Sequence, residues 1–184
     1  MAQNELHRQS PPSCGKARPD TEFTPAQELF DNVPYIIMSA LGCVILLLVF
    51  GASGNSGIFA ALYALYAALG ALWIMVFVCP HCRFFGTRMC PCGYGRIASK
   101  LRARGDEKLF VRKFRRHIPV IVPLWFIPVA AGAYSLSREC SPLLIALVAA
   151  FALDAFAVLP LAARIYGCAH CSQKDDCPWM KTGK

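Results

Sequence analysis

The chain has 184 residues, of which 56% are hydrophobic and only 16% are charged, and its formal net charge at pH 7 is +8. An ordinary water-soluble domain of this length carries more charge and fewer apolar side chains, so the composition argues against that class and favours a membrane protein.

The first 33 residues are polar and rich in proline, and they lack the basic start and apolar centre of a signal peptide. We expect a cytosolic tail here. Within it, Thr24 is suited to cap a helix and Pro25 to occupy the first helical position. This pair predicts a short helix that lies on the membrane before the first span.

Four apolar stretches follow, each about as long as the roughly 17 to 25 residues that a helix needs to cross the hydrocarbon core. They cover residues 34–52, 57–78, 118–135 and 143–166. None has the polar face of a helix in a soluble bundle. We therefore predict an all-α integral membrane protein, a four-helix bundle made of two hairpins, residues 34–78 and 118–166.

A cysteine pattern occurs twice, each time directly after one of these hairpins. The first copy is Cys79-Pro80-His81-Cys82 followed by Cys90-Pro91, and the second is Cys168-Ala169-His170-Cys171 followed by Cys177-Pro178. The repetition predicts a duplicated unit, in which each hairpin is followed by a Cys-x-His-Cys…Cys-Pro knuckle. The knuckles fall in residues 79–117 and in the C-terminal segment 167–184.

The basic residues predict the orientation. Of the 19 Lys and Arg residues, only Arg138 lies in the loops 51–56 and 136–142. The positive-inside rule then places both termini, the central loop and both knuckles in the cytosol. Thiols there are kept reduced, and clustered cysteines on that side more often bind metal than form disulfides.

Two Cys-x-x-Cys turns can supply the four ligands of a tetrahedral zinc or iron site. The predicted ligands are Cys79, Cys82, Cys90, Cys92, Cys168, Cys171 and Cys177. One site would bridge the two halves of the protein, and its four ligands would be Cys79, Cys82, Cys168 and Cys171. The other three cysteines, Cys90, Cys92 and Cys177, could hold a second centre, with His81 or His170 as a fourth ligand.

The spacing leaves the cofactor open between an iron–sulfur cluster and zinc. A proline after the last cysteine is common in bacterial iron–sulfur ligand runs. The segment Cys90-Pro91-Cys92-Gly93, in contrast, resembles the knuckles of zinc ribbons.

A thiol–disulfide oxidoreductase is a third interpretation. The segment Cys79-Pro80-His81-Cys82 resembles the active site of thioredoxin-fold disulfide oxidases. Two features oppose it, since the motif follows a helix, where the dipole disfavours a thiolate, and since it is predicted on the reducing side.

The central loop, residues 83–116, contains eleven Lys and Arg residues, which predict attraction to anionic lipid headgroups. Two amphipathic pieces are expected in it, residues 96–104 and 107–117. A solvated basic loop without a partner explains the charge equally well. No nucleic-acid-binding motif is present, so nucleic acid is not an expected partner.

Asp154 stands eleven residues into the fourth span. A charged side chain at the centre of a bilayer costs about 2.5 to 3.5 kcal/mol or more, which makes this residue a functional candidate. It could carry a proton, contact a quinone or other bound cofactor, or pair with a partner membrane subunit. The alternative is a protonated carboxyl that is hydrogen-bonded to Ser39 or to a backbone carbonyl.

Small residues recur along the second and fourth spans, and they predict that these two helices pack together at the centre. Pro123, Pro128 and Pro160 are expected to kink the third and fourth spans.

The function expected from these patterns is that of an iron–sulfur electron-transfer subunit, which exchanges electrons with a lipid-soluble carrier or a partner. The competing class is a scaffold or interaction protein in which zinc clamps the two hairpins. No phosphate-binding loop, HExxH pattern or serine triad is evident, so whether the chain is an enzyme stays open.

Overall fold

The computed structural model of the chain describes residues 22–51 and 54–167. Three of the predicted metal ligands, Cys168, Cys171 and Cys177, therefore lie outside the described residues, as does His170.

The described part of the chain is helical, without strands. Its main helices are α1 (Pro25–Val49), α2 (Ser56–Phe77), α3 (Tyr94–Leu101), α4 (Phe110–His117), α5 (Pro123–Leu136), α6 (Pro142–Leu153) and α7 (Leu159–Ala162). Short 3-10 turns join several of them. Four helical stretches are long and apolar enough to cross a membrane: Pro25–Val49, Ser56–His81, Glu107–Leu136 and Pro142–Tyr166. The predicted all-helical class with four helices of membrane-spanning length is thereby confirmed.

The start of α1 follows the sequence prediction, but its length does not. The Thr24 hydroxyl accepts a hydrogen bond from the Gln27 amide at 3.4 Å, and the Gln27 side chain accepts one from the Thr24 amide at 2.9 Å, with Pro25 at the first position. This is a capping box. The helix then continues through Pro34 to Val49, so the separate short helix expected here is wrong. An internal proline removes only one backbone hydrogen bond, and no glycine or other stop signal precedes it.

The first helix, and not the second and fourth spans, occupies the centre of the bundle. It packs against α2, α5, α6 and the fourth span beyond α6, whereas α2 makes no extended contact with the fourth span among the described residues. The predicted central packing of the second and fourth spans is therefore wrong. A Cβ atom on Gly42 of α1 would lie 2.4 Å from the ring of Tyr63, so this glycine lets α2 approach α1 closely.

The fourth span is irregular where proline predicts a distortion. Its helix α6 passes into a π-helical turn, Asp154–Val158, before α7 begins. The Leu159 amide donates to the Asp154 carbonyl, five residues earlier. Pro160 has no amide hydrogen and its ring crowds the preceding turn, and a widened turn accommodates both effects.

Helices α3 and α4 occupy the two predicted amphipathic pieces of the central loop. A 3-10 turn, Glu107–Leu109, leads into α4, and Asp106 caps this turn by accepting from the Lys108 amide at 2.9 Å. The exposed side of α3 carries Ile97 and Leu101, each about half exposed.

Candidate metal centre in the cysteine loop

Residues 79–96, named here the cysteine loop, run from the end of α2 into the first turn of α3. The loop starts with the 3-10 turn Cys79–His81, in which the Cys82 amide donates to the Cys79 carbonyl at 3.0 Å. The Gly105 amide donates to the Pro80 carbonyl at 2.9 Å, which ties this turn to the segment that leads to α4. Since the turn follows the carboxyl end of α2, the helix dipole there disfavours a thiolate.

The second turn of the loop is formed by Cys90-Pro91-Cys92-Gly93. The Gly93 amide donates to the Cys90 carbonyl at 3.0 Å, and Gly93 has a φ of +71°, a left-handed conformation that other residues rarely adopt. Gly95, two residues later, donates its amide to the Cys90 sulfur at 3.4 Å. A Cβ atom on Gly95 would lie 2.9 Å from the Phe84 carbonyl oxygen, so only glycine lets this amide reach the sulfur without a shift of the backbone.

The sulfur atoms of Cys90 and Cys92 lie 3.6 Å apart, and neither residue is in a disulfide. Two thiolates that bind one tetrahedral zinc ion at about 2.3 Å are separated by about 3.8 Å. The observed separation is close to this value. The turn therefore presents two sulfurs with the spacing of a ligand pair.

The surroundings of these two thiols shift their pKa values in opposite directions. A hydrogen bond from the Cys92 thiol lowers the pKa of Cys90 to about 7. The backbone amides of Gly95, Cys92 and Gly93 act in the same direction, and burial opposes them. The same hydrogen bond, together with burial, raises the pKa of Cys92. Amides that converge on one sulfur favour its thiolate, which is the form that binds metal.

Burial, with smaller contributions from the neighbouring Cys90 and Cys82, raises the pKa of the Cys79 thiol, so this residue is a neutral thiol. Within residues 22–51 and 54–167, no group of three or more Cys, His, Asp or Glu side chains is arranged to hold a metal ion. The described residues supply one close pair of cysteine sulfurs, those of Cys90 and Cys92.

The start of α1 holds the cysteine loop in place. Asn32 donates to the Cys92 carbonyl at 3.1 Å, the Phe23 amide donates to the Arg88 carbonyl at 2.9 Å, and Glu28 forms an ion pair with Arg96. Glu28 is buried, and its Oε1 atom has no hydrogen-bond partner among the described residues. Sequence reasoning missed these contacts, since a glutamate in the first turn of a helix is ordinary by itself.

The end of the fourth span also lies beside the start of α1. The ring of Tyr166 packs edge-on against that of Phe30, with centroids 5.9 Å apart. The chain therefore leaves the described region toward Cys168 at the end of the bundle that carries the cysteine loop.

Asp154 is buried, with 8% of its surface exposed, and its Oδ2 atom has no hydrogen-bond partner in the described part of the chain. Ser39, the partner considered from the sequence, instead donates to the Tyr35 carbonyl at 2.8 Å. The bond between Asp154 and Ser39 that the sequence suggested is not present in the described part of the chain.

Comparison of the chain with protein-family models, with curated proteins and with solved structures finds no match. The function must therefore be argued from the residues and their geometry.

Proposed function

We propose that this protein is a membrane metal-thiolate protein, and that its cysteine loop takes part in an iron–sulfur centre that transfers electrons at the cytosolic face. The observation that carries the proposal is the pair formed by Cys90 and Cys92. Their sulfurs are 3.6 Å apart, and the Gly95 amide donates to one of them. Backbone hydrogen bonds to cysteine sulfur are one of the means by which proteins set the potential of such centres.

The remaining ligands come from the other cysteines of the two knuckles. Cys79 and Cys82 belong to the same loop, and the contact between Tyr166 and Phe30 supports a path by which Cys168 and Cys171 reach it. A cluster shared by the two hairpins would then sit against the central helix α1. Such a centre would take up one electron at a time from a reduced soluble electron-transfer protein and pass it to a lipid-soluble carrier.

The charge distribution supports a cytosolic position for this centre. The cysteine loop, α3 and α4 carry the basic residues of the central segment, whereas the described residues at the far ends of the spans include Arg138 alone among Lys and Arg. Basic residues concentrate on the cytosolic side of membrane proteins. The same charges, beside the exposed Ile97 and Leu101 of α3, fit anionic lipid headgroups as a partner.

A zinc-stabilised scaffold is the second candidate. It is favoured by the contacts that bind the cysteine loop to α1, because the ion pair between Glu28 and Arg96 joins residues that are 68 positions apart. A zinc ion in this loop would fasten the two ends of the first hairpin and would be structural.

Anaerobic purification in detergent, with analysis of iron, zinc and acid-labile sulfide and an absorption spectrum, tests the proposal. We expect a brown protein with iron and sulfide. The double variant Cys90→Ser/Cys92→Ser should lose at least half of the bound iron, whereas the control Cys140→Ser, which changes an exposed cysteine, should keep it.

Other results would decide against the iron–sulfur centre. Colourless protein with stoichiometric zinc would identify the scaffold. Metal-free protein in which Cys90 and Cys92 cycle between free thiols and a disulfide would identify a thiol–disulfide oxidoreductase, with this pair in place of the Cys79 and Cys82 pair considered from the sequence.

A further inference from the structure

A cavity of about 320 Å³ lies directly beside the cysteine loop. It is formed between α1, α2, the stretch from α4 to α5, and the last turns of the fourth span. Small-molecule sites in proteins begin at about this volume. Cys92 lines the cavity, so a bound molecule would lie next to the proposed metal centre.

The walls of the cavity are apolar and partly aromatic. Ile74 of α2, Ile121 and Trp125 of the third span, and Leu159 of the fourth span contribute to them. Gly70 leaves room on the α2 side, since a Cβ atom there would lie 3.1 Å from a methyl group of Ile121. Such walls suit an apolar, flat molecule, because aromatic rings pack well against planar groups.

Polar groups collect at the end of the cavity that faces the cysteine loop. Asn32 and Tyr94 line this end together with Cys92, and the Asn32 side-chain amide donates to the Cys92 carbonyl at 3.1 Å. Tyr35 lines the cavity farther from the cysteine loop, where its hydroxyl donates to the Ala67 carbonyl at 2.8 Å. Tyr94 lines the cavity together with Cys92 and supplies a phenolic donor.

We infer that this cavity binds the head group of an isoprenoid quinone, whose apolar tail runs into the bilayer between the spans. The inference rests on the proposed function and names its electron acceptor. A quinone has carbonyl oxygens for the phenolic donor at the polar end and a flat ring for the aromatic walls. A phospholipid acyl chain has no acceptor for the Tyr94 hydroxyl at that depth.

The redox balance would be complete with one external electron donor. With an iron–sulfur centre in place, two electrons passed one at a time and two protons from water would convert the bound quinone to the quinol. A reduced soluble electron-transfer protein would reduce the centre again after each transfer.

Binding is tested with a decyl-substituted benzoquinone on the full-length protein in detergent, by the quenching of tryptophan fluorescence, since Trp125 lines the cavity. We expect saturable quenching for the wild type. The variant Ala71→Phe fills the cavity and should raise the Kd at least tenfold, whereas the control Ala68→Phe changes an exposed alanine of the same helix and should not. Tyr94→Phe keeps the ring and removes the donor, and should raise the Kd about tenfold, the loss of one hydrogen bond.

Non-saturable quenching in the wild type, or equal Kd values for Ala71→Phe and Ala68→Phe, would overturn the inference. Co-purification of a phospholipid that blocks the probe would overturn it too. Iron content is measured on the same samples and is expected to be equal in both alanine variants. Saturable quinone binding by protein without iron would mean that the cavity is correctly assigned and the proposed centre is not.

Discussion

The two ends of the helical bundle differ in how far apart in the chain their polar partners are. At the cysteine-loop end, Asn32 contacts Cys92 and Glu28 contacts Arg96 across 60 and 68 positions. At the opposite end, Arg138 packs on Tyr134 four residues away, and Ser141 caps α6 by accepting from the Leu144 amide at 3.4 Å. Long-range polar contacts fix one geometry, whereas local ones only end a helix. The cysteine loop is therefore held in place by distant parts of the chain.

The largest difference in stability between the two ends is expected when one of two matched glycines is replaced by alanine. Gly93 in the cysteine loop and Gly54 at the opposite end both have a φ of +71°. A side chain in this conformation costs roughly 1 to 2 kcal/mol at either position. At Gly93 the added Cβ would also lie 2.8 Å from Oε2 of buried Glu28, whereas at Gly54 it would contact nothing within 4 Å.

We therefore expect Gly93→Ala to lower the free energy of unfolding by about 3 kcal/mol and Gly54→Ala by about 1 kcal/mol. Unfolding in mixed detergent micelles measures both values. Equal losses would show that the start of α1 does not restrain the cysteine loop.

Removing the glutamate from each of the two arginine–glutamate ion pairs is expected to give the next largest difference in the free energy of unfolding. Glu28 has only 9% of its side chain exposed in its pair with Arg96, whereas Glu107 has 44% exposed in its pair with Arg104. Exposed pairs contribute about 0 to 1 kcal/mol, and loss of a buried partner costs more. Since Arg96 is itself 36% exposed, we expect Glu28→Ala to cost about 2 kcal/mol and Glu107→Ala less than about 0.5 kcal/mol.

The same unfolding assay compares these two variants. If Glu107→Ala lowered the free energy of unfolding more than Glu28→Ala, the conclusion that Glu28 holds the cysteine loop against α1 would be contradicted.

The acidity of Cys90 gives a smaller and more local test. Because hydrogen bonds to its sulfur lower its pKa to about 7, the thiolate forms at lower pH than an ordinary cysteine thiolate. In metal-free protein, the ultraviolet absorbance of thiolate should therefore rise with a midpoint near pH 7. This transition should be missing in Cys90→Ser and present in Cys140→Ser. Its persistence in Cys90→Ser would assign the acidic thiol to another residue.

The smallest effect is expected at Asp154, which belongs to neither end. An ionised carboxylate is costly inside a span, so we expect the neutral acid, which asparagine resembles in shape. Asp154→Asn should change the free energy of unfolding by less than about 1 kcal/mol. A loss of more than about 2 kcal/mol would indicate that the carboxylate is charged and paired.

Local patterns in the sequence were sufficient for the helices but not for their arrangement. Apolar runs predicted the four spans, and Thr24 with Pro25 predicted the start of α1, because these signals act within one or two turns. The central position of α1 depends on its close packing with α2, where the missing side chain of Gly42 leaves room for the ring of Tyr63. This kind of shape complementarity between two helices produces no periodic pattern in the sequence.

The sequence predicted which cysteines belong to the candidate site, but not which of them lie next to each other in the fold. Sequence spacing singled out the seven cysteines but favoured the Cys-x-x-Cys turns as the first ligand pairs. In the structure the sulfurs of Cys90 and Cys92 lie 3.6 Å apart, because Gly93 and Gly95 allow that turn to fold tightly. The contacts of Glu28 and Asn32 could not be predicted, since they join residues far apart in the chain.

The widened turn Asp154–Val158 sets the rotation of everything that follows it in the last helix. Adding one residue to a helical turn advances all later side chains by about 100° around the axis, compared with an uninterrupted α-helix. The faces of Ala163 and Tyr166 are thus chosen by an insertion more than a turn earlier. Deleting a single residue within that turn would rotate Tyr166 away from its contact with Phe30 of α1.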